Sequence, residues 1–366
     1  MSVSLHTPIV LIIFNRPDLV RQVWESIRAA RPSRLFVVAD GPRSDHPEDA
    51  ALCAACRAIV AQVDWPCQVE HNYAEANLGC DPRIVSGITW VFSQVEEAII
   101  LEDDILPDPA FFPFCQTLLA RYRDDEQMMG IGGFNFLGEW HNTAAGYHLH
   151  RRITTWGWAT WRRAWRHFER GLDWERRTDV RERLSAHLPD PQQVEYQARL
   201  FHIYADQPSM GWDTQFCLLC NFMGGFWISP SANLIANLGF DASATHTTNA
   251  DDLRRYVRRG SISLGFNSLT AEGPVAIDDH FDRWLFLLEV LNTYRNIRSL
   301  RLWQRVLAQN PACAMPGVPG GGREFLAPLC NPAELLAVLE YVTPFMADNP
   351  RLHRMRADLS AMVALP

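Results

Sequence analysis

From residue 98 the chain reads Ala98-Ile99-Ile100-Leu101-Glu102-Asp103-Asp104-Ile105-Leu106-Pro107-Asp108-Pro109-Ala110-Phe111-Phe112. A short apolar run of this kind suits a strand buried on both faces. It breaks off in three consecutive carboxylates, which repel one another unless a cation or a solvated turn compensates. An acidic loop without a ligand is the plainer reading. The sharper one is a metal site, because all-oxygen acidic sites suit Mn2+ or Mg2+, ions that neutralise a departing diphosphate.

The residues upstream repeat the pattern of apolar run and polar end. Ile9–Phe14, Leu35–Asp40, Val69–Asn72 and Ala98–Leu101 alternate with helical periodicity over Asp18–Ala30, Pro47–Val63 and Pro82–Val95. This βαβαβαβ order predicts an α/β, doubly wound sheet whose ligands bind beyond the carboxyl ends of the strands. Those ends carry Asn15-Arg16, Asp40-Gly41, Asn72 and Glu102-Asp103-Asp104.

Downstream, the pattern predicts a strand over Met128–Phe136, a Trp-rich helix near Gly157–Phe168 and a charged helical stretch from Trp174 to Leu188. A helix is expected from near Thr214, late strands at Phe226–Ile228 and Asn233–Asn237, and an amphipathic helix over Ile277–Ile297. Ala312–Gly322, with Pro316, Pro319 and three consecutive glycines, reads as a linker. The expected organisation is a main domain over 1–300, then a linker and small helical tail over 301–366. The tail leaves room for oligomerisation, a partner protein or docking on a membrane surface.

At 366 residues, with 48% hydrophobic and 21% charged residues, the chain has the make-up of a folded globular protein. Its net charge of −8 argues against a groove that neutralises nucleic-acid phosphates. All 34 basic residues are arginine, so lysine Schiff bases and a Walker-A lysine are excluded and phosphate binding falls to arginine. The N-terminus has no basic leader, no apolar run reaches membrane-spanning length, and nine cysteines are too few for a disulfide framework; a cytoplasmic protein is expected. Cys53/Cys56 and Cys217/Cys220 have zinc-knuckle spacing but sit in apolar helical patterns, which reads as buried thiols.

The segment from Ile100 to Phe112 resembles the metal-binding segment of GT-A glycosyltransferases, in particular the family-2-like bacterial relatives of N-acetylglucosaminyltransferase I. The resemblance extends to Pro8–Arg16, Ala39-Asp40-Gly41-Pro42-Arg43 and Asn77-Leu78-Gly79-Cys80, and covers roughly residues 8–250. It implies a GT-A fold, a doubly wound mixed sheet with a small C-terminal helical appendage. The implied activity is metal-dependent transfer of a sugar from a nucleotide-diphosphate sugar to a hydroxyl of a glycan or other acceptor, as in polysaccharide synthesis.

Carried over by position, Asp104 becomes the direct metal ligand, with Glu102 beside it, and Asp103 lies near the donor ribose. Asn15, Arg16 and Asp40 become base or phosphate contacts, and Trp156-Gly157 a turn beside the donor sugar. Arg83, one turn into a helix, is a candidate phosphate clamp beside its plainer reading as a solvated arginine. Asp213 in Met210-Gly211-Trp212-Asp213-Thr214-Gln215 is the candidate general base of an inverting displacement; the competing reading makes it a helix N-cap. His246 lies in a stretch resembling a loop that closes over the donor and is a candidate metal or phosphate contact. Two other classes compete: a sugar-phosphate nucleotidyltransferase, disfavoured by the missing lysine, and a non-catalytic carbohydrate-binding protein, disfavoured by the intact acidic triplet.

Overall fold

A computed structural model describes residues 5–140, 145–168, 178–205, 211–240, 252–260, 275–293, 331–347 and 349–364. The first seven elements follow the expected alternation: β1 (Ile9–Ile13), α1 (Pro17–Ala30), β2 (Arg34–Ala39), α2 (Asp49–Val60), β3 (Gln68–Tyr73), α3 (Cys80–Phe92) and β4 (Glu97–Glu102). β2 and β3 pair in parallel on one side of β1, and β4 pairs in parallel on the other. The strand order therefore reverses between β1 and β4, and a reversal of this kind opens a crevice beyond their carboxyl ends.

The strands alternate as buried sheet strands must. Ile9, Leu11, Ile13, Leu35 and Val37 enter one core, whereas Val10, Ile12, Phe36 and Val38 enter the other. Ile84, Ile88 and Val91 of α3 cover the second face. Val20, Val23 and Ile27 of α1 cover the first.

Directly after β4 come a two-residue turn, β5 (Ile105–Pro107) and α4 (Phe111–Arg121). β6 (Met128–Gly132), β7 (Tyr147–His150), β8 (Trp158–Trp161) and β9 (Phe226–Pro230) complete a mixed eight-stranded sheet of order β3-β2-β1-β4-β8-β6-β9-β7. This is the doubly wound mixed α/β sheet expected of a GT-A fold. A separate two-stranded ribbon pairs β5 antiparallel with β10 (Ile235–Asn237).

The Trp-rich segment departs from expectation. Trp158–Trp161 is a strand, antiparallel to β4 and β6, and only Arg162–Trp165 forms a short helix, α5. Ladder partners on two sides and the strand preference of Trp and Thr outweigh the helical spacing of the aromatics. Three residues apart in a strand means opposite faces, so Trp158 joins one core with Trp165, and Trp161 the other. All three are core residues.

The remaining helices are α6 (Val180–His187), α7 (Pro191–Ala205), α8 (Trp212–Phe222), α9 (Asp279–Thr293), α10 (Pro332–Val342) and α11 (Pro350–Val363). Leu335 and Leu339 of α10 and Leu359 of α11 share a core cluster with Phe281 and Leu288 of α9. Tyr341 of α10 donates its hydroxyl to the Glu139 carbonyl at 2.7 Å. The expected linker, Ala312–Gly322, lies outside the described residues. Among the described residues no helix is long and apolar enough to cross a membrane.

Ser231, His148 and Asp278 stand in hydrogen-bond contact, at 3.1 Å for each link to the imidazole. The imidazole is fully buried and its Nε2 also faces the Trp140 carbonyl at 2.8 Å. The trio ties β7 to the start of α9 and offers no accessible nucleophile.

Candidate active site

The crevice between β1 and β4 holds the acidic triplet. Asp103 and Asp104 form the turn between β4 and β5, and Arg16, at the start of α1, reaches them from the end of β1. Its guanidinium donates to both Asp103 carboxylate oxygens and, at 3.0 Å, to Asp104 Oδ2. The Phe14 N–H adds a bond to Asp103 Oδ2 at 3.4 Å. Burial works against the arginine's charge, but Asp103 and Asp104 raise its pKa nonetheless. Burial pushes the Asp103 carboxyl up to about 6, against the pull of Arg16 and with a further push from Asp104.

Glu102 is held well above the usual carboxylate range, first by burial and then by the charges of Asp104, Asp103 and Asp213. Asp213 thus lies within electrostatic reach of the triplet although more than a hundred residues separate them. The carbonyl of Asp104 accepts from Leu238 N at 2.8 Å, and a Cβ on Gly239 would fall 2.0 Å from Asp104 Oδ2. Only glycine lets the backbone pass this close.

Further along the same edge, Asp40 accepts from Gly41 N, Leu78 N, Gly79 N and Asn77 Nδ2 at 2.8, 2.9, 3.2 and 2.9 Å. The carboxylate organises the 77–79 loop from within. Asn15 donates to Asp49 at 2.7 Å, and Asp49, fully buried, also receives the Arg43 guanidinium. Asp49 draws no notice in the sequence, because its role depends on a fold-back from α2. Arg83 is buried rather than solvated, and donates to the carbonyl and side-chain oxygen of Asn72. Its Nε has no hydrogen-bond partner among the described residues.

Asp213 also borders a cavity of about 250 Å³, lined by Trp156, Arg152, Arg254, Gln197 and Glu289 among others. Asp213 is exposed in the first turn of α8 and accepts the first-turn Thr214 N–H at 2.7 Å, although the N-cap position itself is Gly211. Trp156 packs against Phe134 and Phe240, and the Arg254 guanidinium lies 4.9 Å from its ring centre. Gly157, at φ +60°, takes a left-handed turn, and its carbonyl accepts Gly133 N at 2.7 Å. Arg152 pairs with Glu289, and Tyr196 donates to the same carboxylate at 3.2 Å. Gln197 Oε1 is buried there without a hydrogen-bond partner among the described residues.

Arg152, Gln197, Arg254 and Glu289 escape a reading of the sequence. Each sits in an ordinary helical or loop pattern, and only tertiary structure brings them together.

Among the described residues no three His, Cys, Asp or Glu side chains converge into a ready coordination shell. His246 lies outside the described residues. The triplet nonetheless suits a divalent cation: its donors are carboxylate oxygens, and a guanidinium already stands between Asp103 and Asp104 as a cation in their midst. Cys53, Cys56 and Cys220 are buried, free thiols on α2 and α8, and Cys217 is half-buried.

No protein-family profile matches the sequence, and no curated protein matches it. Among solved structures, the chain is similar to a mannosyltransferase from Pyrobaculum calidifontis in complex with GDP-Man and Mn2+, at 11% identity and TM-score 0.35 over 98% of this chain and 80% of that one. It is also similar to a UDP-glucose pyrophosphorylase complexed with UDP-glucose, at 10% identity and TM-score 0.31 over 63% of this chain and 91% of that one. Likenesses this distant identify neither activity nor ligand, and the class rests on the sheet itself: a doubly wound mixed α/β protein with polar residues gathered at its switch point.

Proposed function

We propose that the chain is a metal-dependent, inverting glycosyltransferase that moves a sugar from a nucleotide-diphosphate sugar to an acceptor hydroxyl. One observation carries the reading: the Glu102-Asp103-Asp104 turn lies at the switch point of the sheet, with Asp213 and a polar cavity within electrostatic reach of it. Asp104 would hold the Mn2+ or Mg2+, with Glu102 beside it and His246 as a further contact. When bound, the ion neutralises charge on the departing diphosphate.

The chain's own residues supply the rest. Asn15, Arg16, Asp40, Asp103 and Arg83 line or support the nucleotide end, where arginine forks suit phosphate. Trp156 borders the sugar with an aromatic face, and Gly157, itself buried, makes the left-handed turn that sets the ring in place. Asp213 takes the proton from the acceptor hydroxyl, a poor neutral nucleophile, and attack from the opposite face inverts the anomeric carbon. No covalent sugar–enzyme intermediate forms.

The test is donor hydrolysis. Purified protein is screened with nucleotide sugars and Mn2+, and slow release of nucleoside diphosphate from one of them is expected. Release of pyrophosphate or nucleoside monophosphate would point to nucleotidyl transfer, and binding without turnover to a carbohydrate-binding protein.

A further inference from the structure

Arg16 stands where two cations cannot stand together. Its guanidinium donates to Asp103 and Asp104, and the charges of both raise its pKa. A divalent ion bound to Asp104 would face that guanidinium across a contact distance, in a crevice where screening by water is reduced. We propose that Arg16 is an exchangeable counterion: it neutralises Asp103 and Asp104 while no metal is bound, and moves onto the donor diphosphate when a divalent ion takes Asp104. The inference rests on the metal-site reading above and adds a role for Arg16 in coupling metal to donor.

The local backbone suits such a swing. Arg16 occupies the N-cap position of α1, and its side chain makes no capping bond there. Pro17 follows it, fixing its own φ and restricting the backbone of Arg16, so the Cα is held while the long side chain keeps its rotamers. The Arg16 carbonyl is engaged separately by Leu19 N and Val20 N at 3.1 and 3.0 Å, so these bonds survive any movement of the guanidinium.

The rest of the site makes the exchange useful. Among the described residues no three ligating side chains converge, so those residues alone would hold a metal weakly, and diphosphate oxygens would add to its shell. A diphosphate also offers Arg16 the bidentate partner it gives up on leaving Asp103. Each ligand thereby raises the affinity of the other, and the coupling is reciprocal.

Mn2+ binding followed by electron paramagnetic resonance tests this, without nucleotide and with inorganic pyrophosphate as the diphosphate probe, corrected for Mn2+–pyrophosphate in solution. Arg16→Gln is expected to bind Mn2+ alone at least ~10-fold more tightly than the parent, about the strength of one charge-assisted hydrogen bond no longer competing. It should also gain much less from pyrophosphate than the parent does. Asp104→Asn should bind weakly under each condition. If Asp104→Asn weakens binding but Arg16→Gln binds Mn2+ no more tightly than the parent, the exchange is overturned while the metal site stands. If Asp104→Asn leaves Mn2+ binding unchanged, the metal-site reading falls and the exchange with it. Should Arg16→Gln not fold, Arg16→Lys decides: a point charge without the fork should keep Mn2+ binding weak yet lose part of the pyrophosphate enhancement, and an enhancement equal to the parent's overturns the proposal.

Discussion

The switch-point crevice and the cavity beyond it differ in how they are built. The crevice takes its residues from loops that directly follow β1, β2 and β4, so each polar group arrives at the end of an apolar strand. The cavity collects Trp156 before β8, Gln197 from α7, Asp213 from α8 and Glu289 from α9. In the crevice, charges compensate one another across two adjacent strands. In the cavity, each arginine brings its own acid, Arg152 with Glu289 and Arg254 with Asp252, and Asp213 alone faces the space without an ion-pair partner among the described residues. Under the proposed function the first region would take the charged end of the donor, and the second the acceptor hydroxyl beside Asp213.

That division breaks first at Asp104. Asp104→Ala should lower sugar transfer by ~10³-fold or more, since a metal's stabilisation of a leaving group is worth several kcal/mol. Transfer assayed against Mn2+ concentration checks it, and activity that stays metal-dependent at parental levels would move the metal elsewhere.

Asp213→Asn comes next, with a rate expected ~10²–10⁴-fold below the parent. Because Gly211 holds the N-cap position, the urea midpoint should hardly move, and nucleotide and metal binding should persist. A variant transferring sugar near the parental rate would leave the cavity without its base.

Asp40→Ala sharpens the contrast from the other side. Its carboxylate serves several donors of the 77–79 loop, so the change should cost ~1–3 kcal/mol of stability, read in urea, together with weaker nucleotide binding. Loss of nucleotide affinity with no loss of stability would mean that the loop holds itself.

The smallest effect concerns His150, on β7 behind the cavity. Burial, then the charges of His148 and Arg152, hold its pKa well below the ordinary value. Nδ1 accepts the Arg152 N–H at 3.2 Å, so Nε2 carries the proton toward Ser229. The unfolded chain therefore takes up a proton near pH ~6.5 that the folded protein refuses, and stability is kept above that pH and lost below it. The loss approaches ~1.4 kcal/mol per pH unit from this group. Melting temperatures between pH 7.5 and 5.5 should fall more steeply for the parent than for His150→Gln, and equal slopes would refute it.

The contrast also explains what the sequence discloses. The βαβ order, the triplet and the polar strand ends are local patterns, and β1 to β4 appear with nearly the expected bounds. The Trp-rich strand is misjudged because aromatics at 158, 161 and 165 have helical spacing, whereas sheet pairing decides their state. α4 and α7 leave no clear expectation: Phe111–Arg121 reads as an extension of the metal segment, and Pro191–Ala205 shows weak amphipathicity. Arg152 and Glu289 lie 137 positions apart by their numbering and meet only when α9 packs behind β7. No periodicity encodes such a meeting.

The turn at Asp103-Asp104 belongs to two sheets at once. Glu102 is the last residue of β4 in the large sheet, and Ile105 opens β5 in the ribbon, opposite Asn237 of β10. Those two acids make the β4–β5 joint between the structures, pinned from the ribbon side by Leu238 and grazed by Gly239, and residues 231–234 between β9 and β10 make another. Ile105 and Ile235 seat the ribbon in the main core, so a shift of the ribbon would carry the Asp104 carboxylate with it. Substitutions on the outer side of β10 would then tune the site from a distance, as a tuning peg alters pitch without touching the bridge.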